Sequence, residues 1–212
     1  MEIDCYLGLL EISGVPVNSR ELEVWIKEET EKKILENYDF QTRQVAVIQA
    51  KSRFSLKEWF PEKWTKVIEY LSNELGYQVV FFGSKNDNYS EIEDLLHKNI
   101  KYPPINLCGH LSVQESMAFI KHSKILIGID SGLMHVAAAF KLPSVLLNGP
   151  TALSRWRPQN ENCIVVESDF DCPPCLLQRG VKCHCDVQHP KCMATITEDK
   201  VISAICKLLE KK

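Results

Sequence analysis

The residues best suited to chemistry in this chain form one stretch, Asp130-Ser131-Gly132-Leu133-Met134-His135, preceded by the apolar run Lys124 to Ile129 and followed by three alanines at 137 to 139. A serine and a glycine at a helix start leave backbone N–H groups unpaired at the positive end of the helix dipole, which suits an anion such as a diphosphate. Gly132 lets a ligand approach the backbone closely. His135 follows one turn later and, four residues on, shares a wall with Ser131. Asp130 would repel a phosphate, so it reads as a helix N-cap or as an acceptor for ligand hydroxyls. Met134 and the alanines read as the close-packed side of the helix. Asp-Ser-Gly is also a common turn, and a lone histidine is more often packed than functional. Its place after a buried strand is what favours a site.

A second group joins it at the same edge. Lys51-Ser52-Arg53-Phe54-Ser55-Leu56-Lys57 puts basic and aromatic residues after another apolar run, and Lys57 is the one placed to reach a phosphate. A single lysine is more often just solvated. Gly83-Ser84 and Asn148-Gly149-Pro150-Thr151 complete a rim of small and polar groups, with a turn role as the alternative.

These residues need a scaffold, and the chain spells one out as repeated strand-then-helix units. Val45 to Ile48 is a short β-branched run, followed by a helix with Pro61 in its first turn. Gln78 to Phe82 leads to a helix around Ser90 to Asn99. Ile105 to Cys108 leads to a helix around Val113 to His122, where Ser112 and Glu115 form a capping box. Lys124 to Ile129 leads to Ser131 to Phe140, and Ser144 to Leu147 closes the series. Cys163 to Val166 adds a further strand, and Thr197 caps a last helix, Glu198 to Leu209. Continuous apolar strands alternating with helices predict an α/β, Rossmann-like parallel sheet with helices on both faces. With strand order 3-2-1-4-5, the crevice falls between strands one and four. Upstream, Ser19 to Tyr38 carries apolar residues near helical spacing and is expected to be a helix lying over something else. The chain thus divides at 1–40, an interdomain segment with its helix, and 41–212, the Rossmann-like domain.

Composition narrows the function. Net charge is −3 and the basic residues are dispersed, which speaks against a nucleic-acid partner. Met1 to Leu10 carries Glu2 and Asp4 where a secretory signal would be basic, and no apolar run is long enough to span a bilayer; the expected location is the cytoplasm. Five of the nine cysteines lie in the loop at 172–192, and in a reduced compartment that clustering suggests metal ligands or free thiols more than a disulfide framework. Cys172, Cys175, Cys183 and Cys192, with Cys185, His184 and His189 nearby, could supply a tetrahedral structural zinc site. Reduced thiols or a redox-dependent disulfide are the alternative. Cys5, Cys108, Cys163 and Cys206 are scattered and read as small buried residues.

Lys57-Glu58-Trp59-Phe60-Pro61, Gly83, Gly109-His110-Leu111-Ser112, the Asp130 to Ala139 block, Asn148 to Thr151 and Cys172-Pro173-Pro174-Cys175 together resemble glycosyltransferase family 9, which contains the ADP-heptose:lipopolysaccharide heptosyltransferases. Phe60 is an extra residue where the family has Trp-Pro. The resemblance implies the C-terminal half of a GT-B fold, with Asp4 to Pro16 leading out of a first domain. It also implies an ADP-sugar donor, a lipopolysaccharide core or other glycan acceptor, no required cofactor, and a place in the cytoplasm or peripherally at the inner membrane face. Lys57, Gly83, Ser84, Asp130, Ser131, Gly132, His135, Asn148 and Gly149 become its donor-binding residues. Lys57, Ser131 and Gly132 would hold the diphosphate, with Asp130 and His135 nearer the sugar. The family's catalytic base and acceptor site, on the N-terminal domain, have no counterpart here, so the chain alone is expected to bind donor and turn nothing over. Two other readings remain: a non-catalytic nucleotide-sugar-binding or interaction module, and a GT-B-like sugar-nucleotide epimerase.

Overall fold

A computed structural model describes residues 1–210 apart from 97, 99, 172–173, 176–184 and 186–189. In chain order its elements are α1 (Glu2–Ile12), α2 (Glu28–Asn37), β1 (Val45–Gln49), α3 (Pro61–Glu69), β2 (Gln78–Phe81), α4 (Ser90–Leu95), β3 (Ile105–Asn106), α5 (Val113–His122), β4 (Ile125–Ile129), α6 (Gly132–Ala139), β5 (Ser144–Asn148), α7 (Leu153–Trp156), β6 (Cys163–Glu167), α8 (Lys191–Ala194) and α9 (Glu198–Leu209). The strands form one parallel sheet in the order β3-β2-β1-β4-β5-β6.

The apolar runs become central strands because both their faces are covered. Every residue of β1, β4 and β5 is buried. Side chains alternate between faces. Ala46 and Ile48 pack with Trp64, Val67 and Ile68 of α3 and Val201 and Ile205 of α9. Val45 and Val47 pack on the opposite face with Ile34 of α2, Phe119 of α5, and Met134 and Ala137 of α6. The helix following β1 therefore lies on one face and the helix following β4 on the other. Register places Ile48 beside Ile127 and Gln49 beside Gly128, so the two strands end side by side while their chains diverge. That divergence opens the crevice.

Local signals set several helix ends. Ser112 and Glu115 form the expected capping box, Thr197 accepts from Lys200 N at the start of α9, and Pro61 opens α3. The helix expected over Ser19 to Tyr38 is confined to α2, from Glu28. Residues 25–27 bond the Gln114 side chain instead: Lys27 N donates to its Oε1 (3.3 Å) and its Nε2 donates to Trp25 O (3.0 Å). Those groups are diverted from an intrahelical ladder, and the acidic turn Glu28, Glu29, Glu31 provides a start favoured by the dipole. Ile34 and the pair between Glu31 and His122 (2.6 Å) then hold α2 against α5. The scattered cysteines depart from expectation: Cys163 is buried, but Cys5 is exposed and Cys108 and Cys206 are half-buried. Cys206 Sγ lies 3.0 Å from Tyr70 Oη, so its surroundings are partly polar.

Candidate active site at the β1–β4 crevice

Ser131 is the N-cap of α6, with extended backbone and no capping bond from its own side chain. The first turn closes only when Met134 N donates to Ser131 O (3.2 Å), so the N–H groups of Gly132 and Leu133 lie ahead of the first intrahelical bond. A Cβ built on Gly132 would meet nothing within 4 Å. The positive end of this helix therefore faces open space, the geometry an anion needs. Ser131 Oγ is buried and has no partner among the described residues. Met134, Ala137 and Ala138 form the buried side of the helix.

Lys57 comes from the loop after β1 and crosses to the loop after β4. Its Nζ donates to Asp130 Oδ2 (2.8 Å) and to Asp130 O (3.2 Å), and the two side chains are 11% and 12% exposed. Asp130 is thus not the N-cap, a role taken by Ser131; its carboxylate is the partner of the lysine. The puzzle of an acid beside an anion site resolves here, because Lys57 masks the charge of Asp130. An ammonium has three donors. Two are engaged by Asp130, which leaves one for a ligand. His135 sits one turn along the same helix, half-buried. Burial pushes its imidazole below its ordinary pKa, partly opposed by the Asp130 charge, so it is held neutral near pH 7 as a hydrogen-bonding group.

The remaining rim residues are turned to the fold. Ser84 N donates to Asp87 Oδ2 (2.8 Å), and a Cβ on Gly83 would fall 2.4 Å from that oxygen. Gly83 O accepts from Gly109 N (3.1 Å), joining the loops after β2 and β3. Asn148 is buried and bonds within its own turn, donating to Thr151 O (3.1 Å) and accepting from Thr151 Oγ1 (2.8 Å). A Cβ on Gly149 would fall 2.7 Å from Met193 Sδ and 2.8 Å from Cys192 Sγ, so that glycine admits α8. The geometry brings Lys57, Asp130, Ser131, Gly132 and His135 to one mouth and shows Gly83, Asn148 and Gly149 supporting the loops around it. Cys172 and Cys183 lie outside the described residues; Cys175 is half-buried and Cys192 buried. Among the described residues no group of three or more Cys, His, Asp or Glu could hold a metal.

Residues 6–183 match the pattern of glycosyltransferase family 9 (heptosyltransferase). The chain belongs to that family. It is 31% identical over 159 residues to lipooligosaccharide heptosyltransferase 2 of Campylobacter jejuni, covering 73% of this chain and 48% of the relative. Its fold superposes on the family 9 transferase of Veillonella parvula with a TM-score of 0.80 at 25% identity, covering 99% of this chain and 60% of the other. It superposes on the Escherichia coli ADP-heptose lps heptosyltransferase II with a TM-score of 0.73, also at 25% identity, covering 94% and 56%. The chain spans about half the length of the curated relatives it matches. Among the described residues no helix is long and apolar enough to cross a membrane.

A cavity of about 670 Å³ sits at the far end of α6, lined by Arg20, Glu21, Lys141, Arg157 and Glu161 among others, away from the mouth described above. Two further residues, without a signal in the sequence, hold the loops of the mouth in shape. Tyr89, fully buried, accepts from Ala50 N (2.9 Å) and donates to Phe82 O (2.9 Å), and Glu58 ties the loop that carries Lys57. Neither has a spacing signal, since each acts on backbone brought close only by the fold.

Proposed function

We propose that this chain is the donor-binding half of a heptosyltransferase-type glycosyltransferase, holding an ADP-sugar such as ADP-heptose by its diphosphate for transfer to a lipopolysaccharide core acceptor. One observation carries the reading: α6 opens into free space at Gly132 directly beside the Lys57 ammonium, at the switch point of the sheet. The N–H groups of that turn and the free lysine donor would stabilise the leaving diphosphate as the acceptor hydroxyl displaces it from the anomeric carbon. His135 and the Asp130 carboxylate stand beside it for sugar hydroxyls. The proton of the attacking hydroxyl needs a base, and that group belongs with an acceptor-side half.

The N-terminal helix supports a partner half. Glu2 of α1 pairs inward with Arg155 (2.7 Å), while Tyr6, Leu9 and Ile12 are exposed, Ile12 at 86%. Exposed apolar side chains clustered on one helix form a surface suited to a further protein layer. An ADP-sugar donor and a lipid-bound acceptor would suit a reaction in the cytoplasm, peripheral at the inner membrane face. We also propose a structural four-thiolate zinc site formed by Cys172, Cys175, Cys183 and Cys192. Titration calorimetry of the 212-residue chain with ADP tests the donor reading. Saturable binding that is weakened but still measurable in Lys57→Ala supports it, and no heat with wild type removes it in favour of a non-catalytic module.

A further inference from the structure

The loop from β1 to α3 has to leave the sheet after Gln49, present Lys57 to the crevice and re-enter the fold at Trp59. Both ends are anchored. Ala50 N is bonded to Tyr89 Oη, and Trp59, 4% exposed, donates its Nε1 to Ile196 O (3.1 Å). Backbone bonds within the loop are short-range: Lys57 N to Phe54 O (2.9 Å) and Glu58 N to Ser55 O (2.9 Å). They shape the turn Ser55–Lys57 without setting its direction relative to β1.

The join between entry and exit is made by one side chain. Glu58 Oε1 accepts from Ser52 N (2.9 Å) and Oε2 accepts from Lys51 Nζ (3.2 Å), with Lys51 and Glu58 only 18% and 23% exposed. Charge-assisted bonds of this kind are stronger than neutral ones. Both carboxylate oxygens are thereby engaged on the loop itself. We propose that Glu58 is a positioning residue for the donor site: its carboxylate clasps the loop and so aims the neighbouring Lys57 at Asp130 and at the diphosphate beyond. The inference rests on the donor-site reading above. It follows from the cost of ordering flexible backbone, which a loop held in shape beforehand does not incur on binding.

Two measurements on the full chain test it. Hydrogen exchange followed by NMR reads the Ser52 amide without ligand. In Glu58→Ala that amide should exchange at least about tenfold faster, with amides of β4 unchanged, and Glu58→Gln, which keeps an acceptor, should stay within about threefold. Calorimetry with ADP should show about tenfold weaker binding in Glu58→Ala and near-wild-type binding in Glu58→Gln. On a Lys57→Ala background the same Glu58→Ala change should add less than about twofold, because a residue acting through Lys57 has nothing left to position. Unchanged Ser52 exchange in Glu58→Ala overturns the proposal, and so does an affinity loss of equal size on both backgrounds. Should wild type take up no ADP, the donor reading fails, while Ser52 exchange still decides whether the clasp exists.

Discussion

Removing the Lys57 ammonium should hurt donor binding twice, and the second injury should be repairable. Lys57→Ala deletes one charge-assisted bond to the diphosphate, worth about 2 kcal/mol. It also unmasks Asp130, whose carboxylate is 12% exposed and otherwise bonded by that lysine at 2.8 Å. At an effective dielectric of about 20 and a separation of about 7 Å, one carboxylate and one phosphate charge repel by about 2 kcal/mol. The combined loss of about 4 kcal/mol corresponds to about a thousandfold in ADP affinity. Asp130→Asn added to Lys57→Ala removes the repulsion but not the missing bond, so the double variant should regain about 2 kcal/mol, roughly thirtyfold. Calorimetry or a competition assay with a fluorescent ADP analogue reads both numbers. A double variant that binds ADP no better than Lys57→Ala would refute the reasoning, because it would mean that Asp130 does not face the anion.

Gly132 offers a test with the opposite balance of fold and function. A Cβ there meets nothing in the protein, so Gly132→Ala should melt no lower than wild type and at most about 4 °C higher, by the Gly-to-Ala helix preference. The methyl group would stand where the diphosphate approaches, and ADP affinity should fall; an equal affinity would move the anion elsewhere. His135 gives a pH dependence. Its pKa in the folded chain is depressed by burial below the ordinary 6.5, so the unfolded chain binds the proton more readily. The stability this contributes is complete above 6.5 and is lost as pH falls below it. Thermal melts at pH 7.5 and 5.5 should differ less in His135→Gln than in wild type, and an identical difference would exclude the histidine as the source. For the cysteine loop, elemental analysis of protein prepared without chelator should find about one zinc per chain. Protein free of bound metal at any stoichiometry ends that proposal.

Much of the scaffold was legible because its signals are short-range. The apolar runs at 45–48, 125–129 and 144–147 announce strands covered on both faces, Ser112 with Glu115 and Thr197 announce helix starts, and Pro61 opens α3. The candidate anion site was legible for the same reason, since Ser131 and Gly132 directly follow a buried strand. The helix expected over 19–38 shortens to α2 because apolar spacing over 19–27 carries no sign that Gln114, some ninety positions away, bonds that backbone. Cys163 is buried as expected, but Cys5, Cys108 and Cys206 are not, because residue type predicts burial only on average and Cys206 faces a tyrosine hydroxyl.

By itself, then, the order of residues determined the strand–helix alternation, the caps, the glycine at the helix mouth and the family pattern. Each depends on hydrogen bonds or periodicities that close within a few positions. Tertiary structure alone decided that Lys57 reaches Asp130 across 73 positions and that Gly149 admits Cys192 of α8. The reach of Lys57 depends on β1 and β4 ending in register with their following helices on opposite faces, and a linear pattern does not carry that distance.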